Sequence, residues 1–382
     1  MKLTSPLFDD EEIALFRQCL ESGWVTQGPL VAQFEALVAE RHNCKHALAA
    51  TSCTAALHMA MLALGIGEGD EVIVPAFTWV TSASVAEFVG ARVVFADVLA
   101  DTYNLDPKLL EAAITPKTRA VVPVHLFGLA AEMAQILEIA RRHDLFVIEG
   151  AACAIGTTHG GRPVGCLGDI GCFSFHPRKV ITTGEGGMLT TNRDDLAAVV
   201  QSIKNHGSTG QPPEELESPG PWTMSMYGRL GLNFRLSDIL AAVGIAQMGK
   251  LEGLFEERLA LAEAYRLRLK DRNDVMLPPG IEAAPGHTYQ SYVIRVKEGG
   301  RKRRNQIMAV MEEDGIETRP GTHAVHSLGY YEEKYGYRSE DFPVAMASAD
   351  ETITLPIFPG MSEEDQDAVV ASLVKGLSMG KV

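Results

Sequence analysis

The sequence lacks the features of membrane, secreted and metal-binding proteins. No apolar run reaches the ~20 residues of a membrane span, and the longest candidate, Ala55 to Leu64, is interrupted by His58. The N-terminus has no apolar core typical of a signal peptide. Six cysteines form no CxxC pair, so we expect reduced thiols and no metal site. These absences predict a soluble cytoplasmic protein.

Positive charge is also scarce. Lys and Arg total 34 against 49 Asp and Glu, and 34 − 49 gives a net charge of −15. The acidic residues are scattered, as in the stretch Asp9 to Glu12, and form no acidic tail. Because nucleic-acid binding depends on clustered positive charge, we expect no nucleic-acid partner.

At 382 residues the chain exceeds the usual size of one core. Short β-branched runs alternate with helical stretches, which predicts a mostly parallel sheet flanked by helices. The predicted strands are 71–74, 91–95, 119–124 and 145–148, after an opening helix near 9–22. Ligands of such sheets bind beyond the carboxyl ends of the strands, so we expect the chemistry in 75–79, 125–128 and 149–153.

The pattern changes after a long predicted helix at 247–270. A strand at 289–296 and helices at 301–314 and 362–377 follow. We therefore predict a large α/β domain over 1–250 and a small α+β domain over 251–382. Residues 207–222, rich in Pro and Gly, are predicted to form a loop.

Lys179 lies between Ser174 and the Gly-rich stretch Thr182 to Gly187. A serine that binds a phosphate and a lysine that reacts with an aldehyde could both be supplied by such an extended segment. Lysine acts as a Schiff-base nucleophile where desolvation or nearby positive charge favours its neutral amine, and Arg178 and the apolar pair 180–181 adjoin it. The motif favours a pyridoxal phosphate site, although a solvated loop lysine is the simpler reading of this residue alone.

Two further segments agree with that chemistry. Ser52, Cys53 and Thr54 precede a helical run, where free backbone N–H groups bind anions such as phosphate; simple helix capping would also explain them. Trp79 follows a predicted strand, where an indole stacks on a flat ring or packs in a core. Both segments therefore support a pyridoxal phosphate site at Lys179 but do not establish it.

Together these motifs resemble the DegT/DnrJ/EryC1/StrS family of sugar aminotransferases over essentially the whole chain. The resemblance also includes Gly28-Pro29, Gly168-Asp169 and the stretch Gly231 to Asp238. It implies the α/β fold of a fold-type I pyridoxal phosphate transferase, with a mostly parallel sheet flanked by helices and a smaller C-terminal α+β domain. The implied cofactor is pyridoxal 5'-phosphate, with pyridoxamine 5'-phosphate between the two halves of the reaction.

The resemblance implies a role for each matching residue. Lys179 would form the Schiff base, Trp79 would stack on the ring, and Ser52, Cys53, Thr54 and Ser174 would surround the phosphate. Asn233 would reach the phosphate bound by a second subunit, so a homodimer with shared sites is implied. Arg319, His323 and His326 match the segment that contacts the sugar, although ordinary surface histidines would give the same pattern.

Two positions depart from the family. Relatives usually carry Asp where this chain has Gly150, and that carboxylate keeps the cofactor's ring nitrogen protonated. Glu149 is adjacent, but alternation along a strand directs it to the opposite face. We therefore expect Gly150 to allow cofactor binding and to weaken the electron sink. Cys153 stands where relatives place Gln or His, and a small buried cysteine is the simpler reading.

The implied reaction moves an amino group, from L-glutamate, to a GDP- or UDP-linked 4-keto-6-deoxy sugar, as in perosamine synthases. A cofactor-binding or nucleotide-sugar-binding homologue without turnover stays open because of Gly150. A sugar dehydratase of this fold would carry histidine in place of Lys179. A dinucleotide oxidoreductase is disfavoured, because the GxGxxG fingerprint is missing.

Overall fold

A seven-stranded sheet forms the centre of the computed structural model, which describes residues 1–211 and 220–379. Its strand order is β1-β10-β9-β6-β5-β2-β4. The strands of the described chain are β1 His46–Ala50, β2 Glu71–Pro75, β3 Phe77–Thr78, β4 Arg92–Ala96, β5 Thr118–Val121, β6 Phe146–Gly150, β7 Thr158–His159, β8 Arg162–Pro163, β9 Ile170–Ser174, β10 Gly187–Thr191, β11 Ser208–Gly210, β12 Met226–Tyr227, β13 Val275–Met276, β14 Tyr292–Val296, β15 His323–Ala324 and β16 Thr352–Leu355.

Helices cover the sheet on both sides. They are α1 Asp10–Ser22, α2 Pro29–His42, α3 Cys53–Ala63, α4 Thr81–Phe88, α5 Pro107–Ala112, α6 Met133–Arg142, α7 Asp194–Ile203, α8 Asp238–Gly249, α9 Leu251–Leu269, α10 Gly300–Glu313, α11 Gly329–Tyr335, α12 Pro343–Glu351 and α13 Glu363–Ser378. Among the residues that the structure describes, no helix combines the length and apolar character needed to cross a membrane.

The central sheet is mostly parallel, as the alternating pattern predicts. Neighbours among β4, β2, β5, β6 and β9 pair in parallel, whereas β10 is antiparallel to both β9 and β1. The α/β fold class is thereby confirmed. The parallel strands bring their carboxyl ends to one edge, and Gly150 of β6 pairs with Cys172 of β9 there.

The predicted helix at 9–22 is confirmed as α1. Asp9 caps it, since its carboxylate accepts the Glu11 amide at 2.9 Å and the Glu12 carboxylate accepts the Asp9 amide at 2.9 Å. Gly23 ends it with φ 72°, a left-handed conformation that glycine adopts without steric cost.

The predicted helix at 247–270 is confirmed as α9 over Leu251–Leu269, except that its first three residues belong to the end of α8 and a break at Lys250 separates the two helices. The Lys250 amine lies 2.8 Å from Asp9 Oδ1 and 2.7 Å from Glu12 Oε2. Gly249 precedes it, and glycine is a poor helix former. The break therefore coincides with the point where α1 contacts this part of the chain.

A separate three-stranded antiparallel sheet, β13-β14-β16, lies in the C-terminal part with α10 and α13. The first residues contact this part of the chain, because the Glu317 amide donates to Met1 O at 3.0 Å and the Ile357 amide to Leu3 O at 3.2 Å. The domain division at residue 250 stays a prediction, although these contacts hold residues 1–3 against the C-terminal part.

The loop predicted over 207–222 is wrong in part, since Ser208–Gly210 pairs antiparallel with Met226–Tyr227 in a two-stranded sheet. Residues 212–219 of that prediction lie outside the described residues.

Candidate functional site

A cavity of about 790 Å³ opens at the carboxyl edge of the sheet, between the sheet and the C-terminal part. Gly150 ends β6, Ser174 ends β9, and Trp79 follows β3, so three strand ends contribute to its wall. All the site residues predicted from sequence except Asn233 and His326 line this cavity. The cavity therefore lies where ligands of parallel sheets bind, beyond the carboxyl ends of the strands.

Lys179 lies in the turn that follows β9, where its amide donates to His176 O at 2.8 Å. Its side-chain amine is partly buried and donates to Cys153 Sγ at 3.2 Å. No carboxylate within the described ranges lies at ion-pair distance from this amine. Since a lysine reacts as a nucleophile only when its amine is not held by an anion, this position suits a Schiff base.

The N-terminus of α3 points into the same cavity. Ser52 caps the helix, and its Oγ accepts the Ala55 amide at 3.1 Å. The amides of Cys53 and Thr54 find no hydrogen-bond acceptor elsewhere in the described chain, as expected in the first turn of a helix. Ser174 lines the wall facing them, so an anion such as phosphate would find amide and hydroxyl donors here.

Trp79 is 56% exposed and forms part of the cavity wall. Its ring lies 5.5 Å from the His323 ring, because β3 pairs with β15 through Thr78 and His323. The exposed ring face is available to a flat heteroaromatic group. His323 thereby holds the indole from the C-terminal side.

Gly150 leaves this end of the cavity without a carboxylate. The Glu149 carboxylate points to the opposite face, where His125 Nε2 lies 3.0 Å away. It also accepts three backbone amides at 2.7 Å, from Gly165, Leu167 and Gly168. Burial alone would raise the pKa of Glu149, but these hydrogen bonds and His125 hold the pKa below its usual range. Glu149 therefore cannot replace the missing side chain.

Three thiols stand near Lys179. Cys53 and Cys153 line the cavity, and Cys172 lies beneath it on β9, its carbonyl 3.5 Å from Cys53 Sγ. Burial raises the pKa of Cys53 to about 12 and that of Cys172 well above its ordinary value. These two cysteines are therefore uncharged, and Cys153 is the thiol in contact with the lysine.

Asn233 is exposed and lies outside the cavity of its own chain. It forms an isolated bridge with Asn205. Large apolar side chains are exposed in the segment that precedes it in the chain: Leu230 is 96% exposed, Trp222 72% and Tyr227 62%. Such a surface is typical of a protein interface.

His326 requires a correction, since the sequence analysis assigned it to substrate binding. Its ring is fully buried and packs 4.7 Å from the Phe342 ring and 6.3 Å from the Phe95 ring. Burial lowers its pKa. Ala324 and Ser327 line the cavity around it, but His326 does not. It belongs to the core.

Sequence reasoning missed several cavity residues from distant parts of the chain. These are Leu3, Thr4, Arg178, Gln290, Arg301 and Arg304. Arg178 was within reach of sequence analysis, because it directly precedes Lys179. The others carried no motif and meet the site only through the fold.

Outside this cavity, few side chains of the described residues are grouped in a way that suggests a binding or catalytic site. A depression of about 850 Å³ lies between the first residues and α13, where Asp314 is paired with Lys375 at 2.7 Å. Within 1–211 and 220–379, no cluster of three or more His, Cys, Asp or Glu side chains is arranged to hold a metal ion. Each of the six cysteines carries a free thiol.

Comparison with known proteins gives consistent matches. The DegT/DnrJ/EryC1/StrS aminotransferase family model matches residues 6–374. The spore coat polysaccharide biosynthesis protein SpsC of Bacillus subtilis is 39% identical over 97% of this chain and 96% of the relative. The GDP-perosamine synthase of Caulobacter vibrioides is 37% identical over 98% of this chain and 97% of that protein.

A solved structure extends the likeness to three dimensions. A putative sugar aminotransferase from Streptococcus pneumoniae, in its PMP form, superposes with a TM-score of 0.93 at 27% identity, over 98% of both chains. Its PLP form gives a TM-score of 0.91. The fold, the cavity and these matches lead to one conclusion: the chain belongs to the DegT/DnrJ/EryC1/StrS aminotransferase family.

Proposed function

We propose that this protein is a pyridoxal-phosphate-dependent aminotransferase that moves an amino group from an amino acid to the keto group of a nucleotide-linked deoxysugar. The observation that carries the proposal is that Lys179 lines the same cavity as the N-terminus of α3, whose free amides can bind a phosphate. The relatives named as sugar aminotransferase and GDP-perosamine synthase support the substrate class.

The cavity walls suit the cofactor at three points. The amides of Cys53 and Thr54, with the hydroxyls of Ser52 and Ser174, would bind its phosphate. Trp79 would pack on its ring. Lys179 would bind it covalently, so phosphate, ring and aldehyde each have a partner. The ring nitrogen would find no carboxylate partner at position 150, because Gly150 provides no side chain.

Lys179 would then serve as the proton carrier. When bound, the cofactor supplies a conjugated ring that withdraws electrons from the reacting carbon. Once the amino donor has displaced it from the cofactor, the Lys179 amine, 3.2 Å from Cys153 Sγ, would accept a proton from the reacting carbon and return it later in the reaction.

The sugar would enter from the C-terminal side. Arg319 and His323 are the substrate contacts that we retain from the sequence analysis, and both line the cavity. A GDP- or UDP-linked 4-keto-6-deoxyhexose is the substrate that best fits the relationship to GDP-perosamine synthase. L-glutamate is the proposed donor.

We further propose a homodimer with shared sites in the cytoplasm. Asn233 is exposed and does not line its own cavity, and exposed apolar side chains precede it in the chain, so a second copy would bury them and receive Asn233 at its cofactor phosphate. The free thiols support a reducing compartment.

Incubation of the purified protein with pyridoxal phosphate, L-glutamate and a GDP- or UDP-4-keto-6-deoxyhexose tests the function. The proposal predicts an amino sugar and equimolar 2-oxoglutarate, both absent with Lys179→Ala. An active Lys179→Ala variant, or no amination by a cofactor-loaded protein with either nucleotide sugar, would reject it.

A second candidate is a cofactor-binding homologue with impaired turnover. Gly150 is the one observation that favours it, and the comparisons give it no support. Amination of a keto sugar at an ordinary enzymatic rate would remove it.

A further inference from the structure

The Lys179 amine and the Cys153 thiol are in contact at the cavity wall. Nζ of Lys179 lies 3.2 Å from Sγ of Cys153, and both residues line the cavity and are partly exposed. Within 1–211 and 220–379, Cys153 Sγ has no other hydrogen-bond partner, and the Lys179 amine forms no ion pair. Two nucleophilic atoms therefore touch at a place that small molecules in the cavity can reach.

The sheet brings these two side chains together. Cys153 lies in the turn after β6 and Lys179 in the turn after β9, and the two strands are parallel neighbours. The Ala154 amide donates to Ala151 O at 2.9 Å in the first turn, and the Lys179 amide donates to His176 O at 2.8 Å in the second. Because backbone hydrogen bonds hold both turns, the side chains meet without any rearrangement of the chain.

Cys153 is also the thiol of this cavity that is best placed to react. Reactive cysteines are partly exposed and lie beside a positively charged side chain, and Cys153 meets both conditions. Cys53 lines the same cavity, but its thiol donates to Cys172 O at 3.5 Å, and burial raises its pKa to about 12. Cys53 is therefore protonated near neutral pH, whereas oxidants react with the thiolate.

The contact between Lys179 and Cys153 has a simpler role open to it. A hydrogen bond would orient the amine for the cofactor, and a serine hydroxyl would serve that role equally well. A thiol adds redox chemistry that a hydroxyl lacks, because peroxide converts it to a sulfenic acid, which condenses with a nearby thiol or nitrogen. The Lys179 amine is the nitrogen in contact with this sulfur.

We propose that Cys153 and Lys179 form an oxidative modification site, where hydrogen peroxide joins the sulfur and the nitrogen in a covalent sulfenamide. In the first step the sulfur bonds to one peroxide oxygen, the O–O bond breaks, and the other oxygen leaves as water with the thiol proton. In the second step the neutral amine attacks the sulfur, the S–O bond breaks, and the hydroxyl leaves as water with one amine proton. The sulfur is oxidised and the peroxide reduced by two electrons, so the protein loses two hydrogen atoms.

The covalent link would control cofactor binding, and this consequence rests on the proposed function. A nitrogen bonded to sulfur cannot form a Schiff base with an aldehyde, so the linked chain could not bind pyridoxal phosphate covalently. An amine already bound to the cofactor is not free to attack the sulfur. Oxidation would therefore block the cofactor-free chain and spare the loaded one, and a thiol reductant would reverse it.

Treatment of the cofactor-free full chain with hydrogen peroxide, followed by mass spectrometry of the intact protein and peptide mapping without reductant, tests the site. We expect the loss of two hydrogen atoms and a peptide link between Cys153 and Lys179. Pyridoxal phosphate added afterwards should give no Schiff-base absorption band, and dithiothreitol should restore the band. Protein loaded with pyridoxal phosphate before the peroxide should form no link.

Three variants identify the atoms involved. Cys153→Ser keeps a hydrogen-bonding group but cannot form a sulfenic acid, so its Schiff-base band should resist peroxide. Cys53→Ser is the matched control, since it removes a thiol of the same cavity that does not contact the lysine, and it should form the link as the parent protein does. In Lys179→Arg the guanidinium stays charged and is a poor nucleophile, so Cys153 should remain a sulfenic acid that the reagent dimedone labels.

Three results would overturn the proposal. These are a Cys153 that gains oxygen in the parent protein without a link to Lys179, a disulfide between Cys153 and Cys53 in its place, and equal peroxide sensitivity of the Schiff-base band in Cys153→Ser and the parent. The proposed function fails separately. A chain that forms the link but takes up no pyridoxal phosphate when reduced refutes the function, whereas a chain that aminates a keto sugar and forms no link refutes only the modification site.

Discussion

Glu149 and Gly150 are adjacent at the end of β6 but face opposite sides of the sheet. The Glu149 carboxylate is fully buried against His125, whereas Gly150 borders the cavity that holds Lys179. The sequence resemblance implies a carboxylate at the second of these positions. Glu149 is therefore a structural acid, and no carboxylate replaces the catalytic one at position 150.

Gly150→Asp should accelerate the first half-reaction. Its carboxylate would hold a proton on the cofactor's ring nitrogen, and a buried charge partner contributes about 3–5 kcal/mol. At ~1.4 kcal/mol per tenfold, the gain reaches roughly two to four orders of magnitude if all of it appears in the barrier. Stopped-flow absorbance of the loaded protein with L-glutamate measures this rate.

The Gly150→Asn variant is the matched control for size. A Cβ at this position would lie 3.0 Å from Val124 Cγ2, so Val124 must shift slightly in both variants. Asn should leave the rate near that of the parent protein. Equal rates for the parent and Gly150→Asp would show that this chain does not need the carboxylate.

Glu149→Gln should destabilise the fold by about 3–5 kcal/mol, since it leaves buried donors without their anion. The pKa of Glu149 is lowered in the folded state. Its contribution is therefore fully present above the unfolded value near 4.5 and is lost as pH falls through the folded pKa. Urea unfolding at several pH values between neutral and acidic should give a steeper fall in unfolding free energy for the parent than for Glu149→Gln. Parallel pH profiles would contradict this role.

Asn233→Ala and Lys179→Ala should each be inactive or weak alone and complement each other when mixed. If Asn233 acts on the partner's cofactor, the mixed dimer contains one site with both residues intact. Activity should reappear after the two variants are unfolded and refolded together. No recovery in a mixture proven to contain the mixed dimer would place the Asn233 role within its own chain.

Much of the fold could be predicted from the sequence, because helix ends and strand patterns are local features of the chain. Asp9 and Gly23 mark the ends of α1, and alternating β-branched runs mark β2, β4 and β6. The break at Lys250 was not predicted, and its ion pairs are to Asp9 and Glu12, far away in the chain. The contacts of residues 1–3 with the C-terminal part are equally distant in sequence.

The candidate site shows the same difference between residues marked by local patterns and residues placed by contacts distant in the sequence. Ser52, Trp79 and Lys179 were assigned from local signals: the helical run after Ser52, the predicted strand before Trp79, and the Ser174 and Gly-rich motif around Lys179. His326 was misplaced, since its burial depends on Phe95 and Phe342, which no local pattern connects to it. Arg319 was assigned to the substrate from the sequence and Arg178 was not assigned to the site, and only the fold brings both to one cavity.

The visible absorption of the protein with pyridoxal phosphate, before and after L-glutamate, tests the central claim most directly. The account predicts a Schiff-base band in the parent protein that glutamate bleaches, and no such band in Lys179→Ala or in Lys179→Arg, which keeps the charge but not the reactive amine. A band that persists in both variants would contradict the assignment of Lys179. A band in the parent protein that glutamate leaves unchanged would contradict its activity as an aminotransferase with this donor.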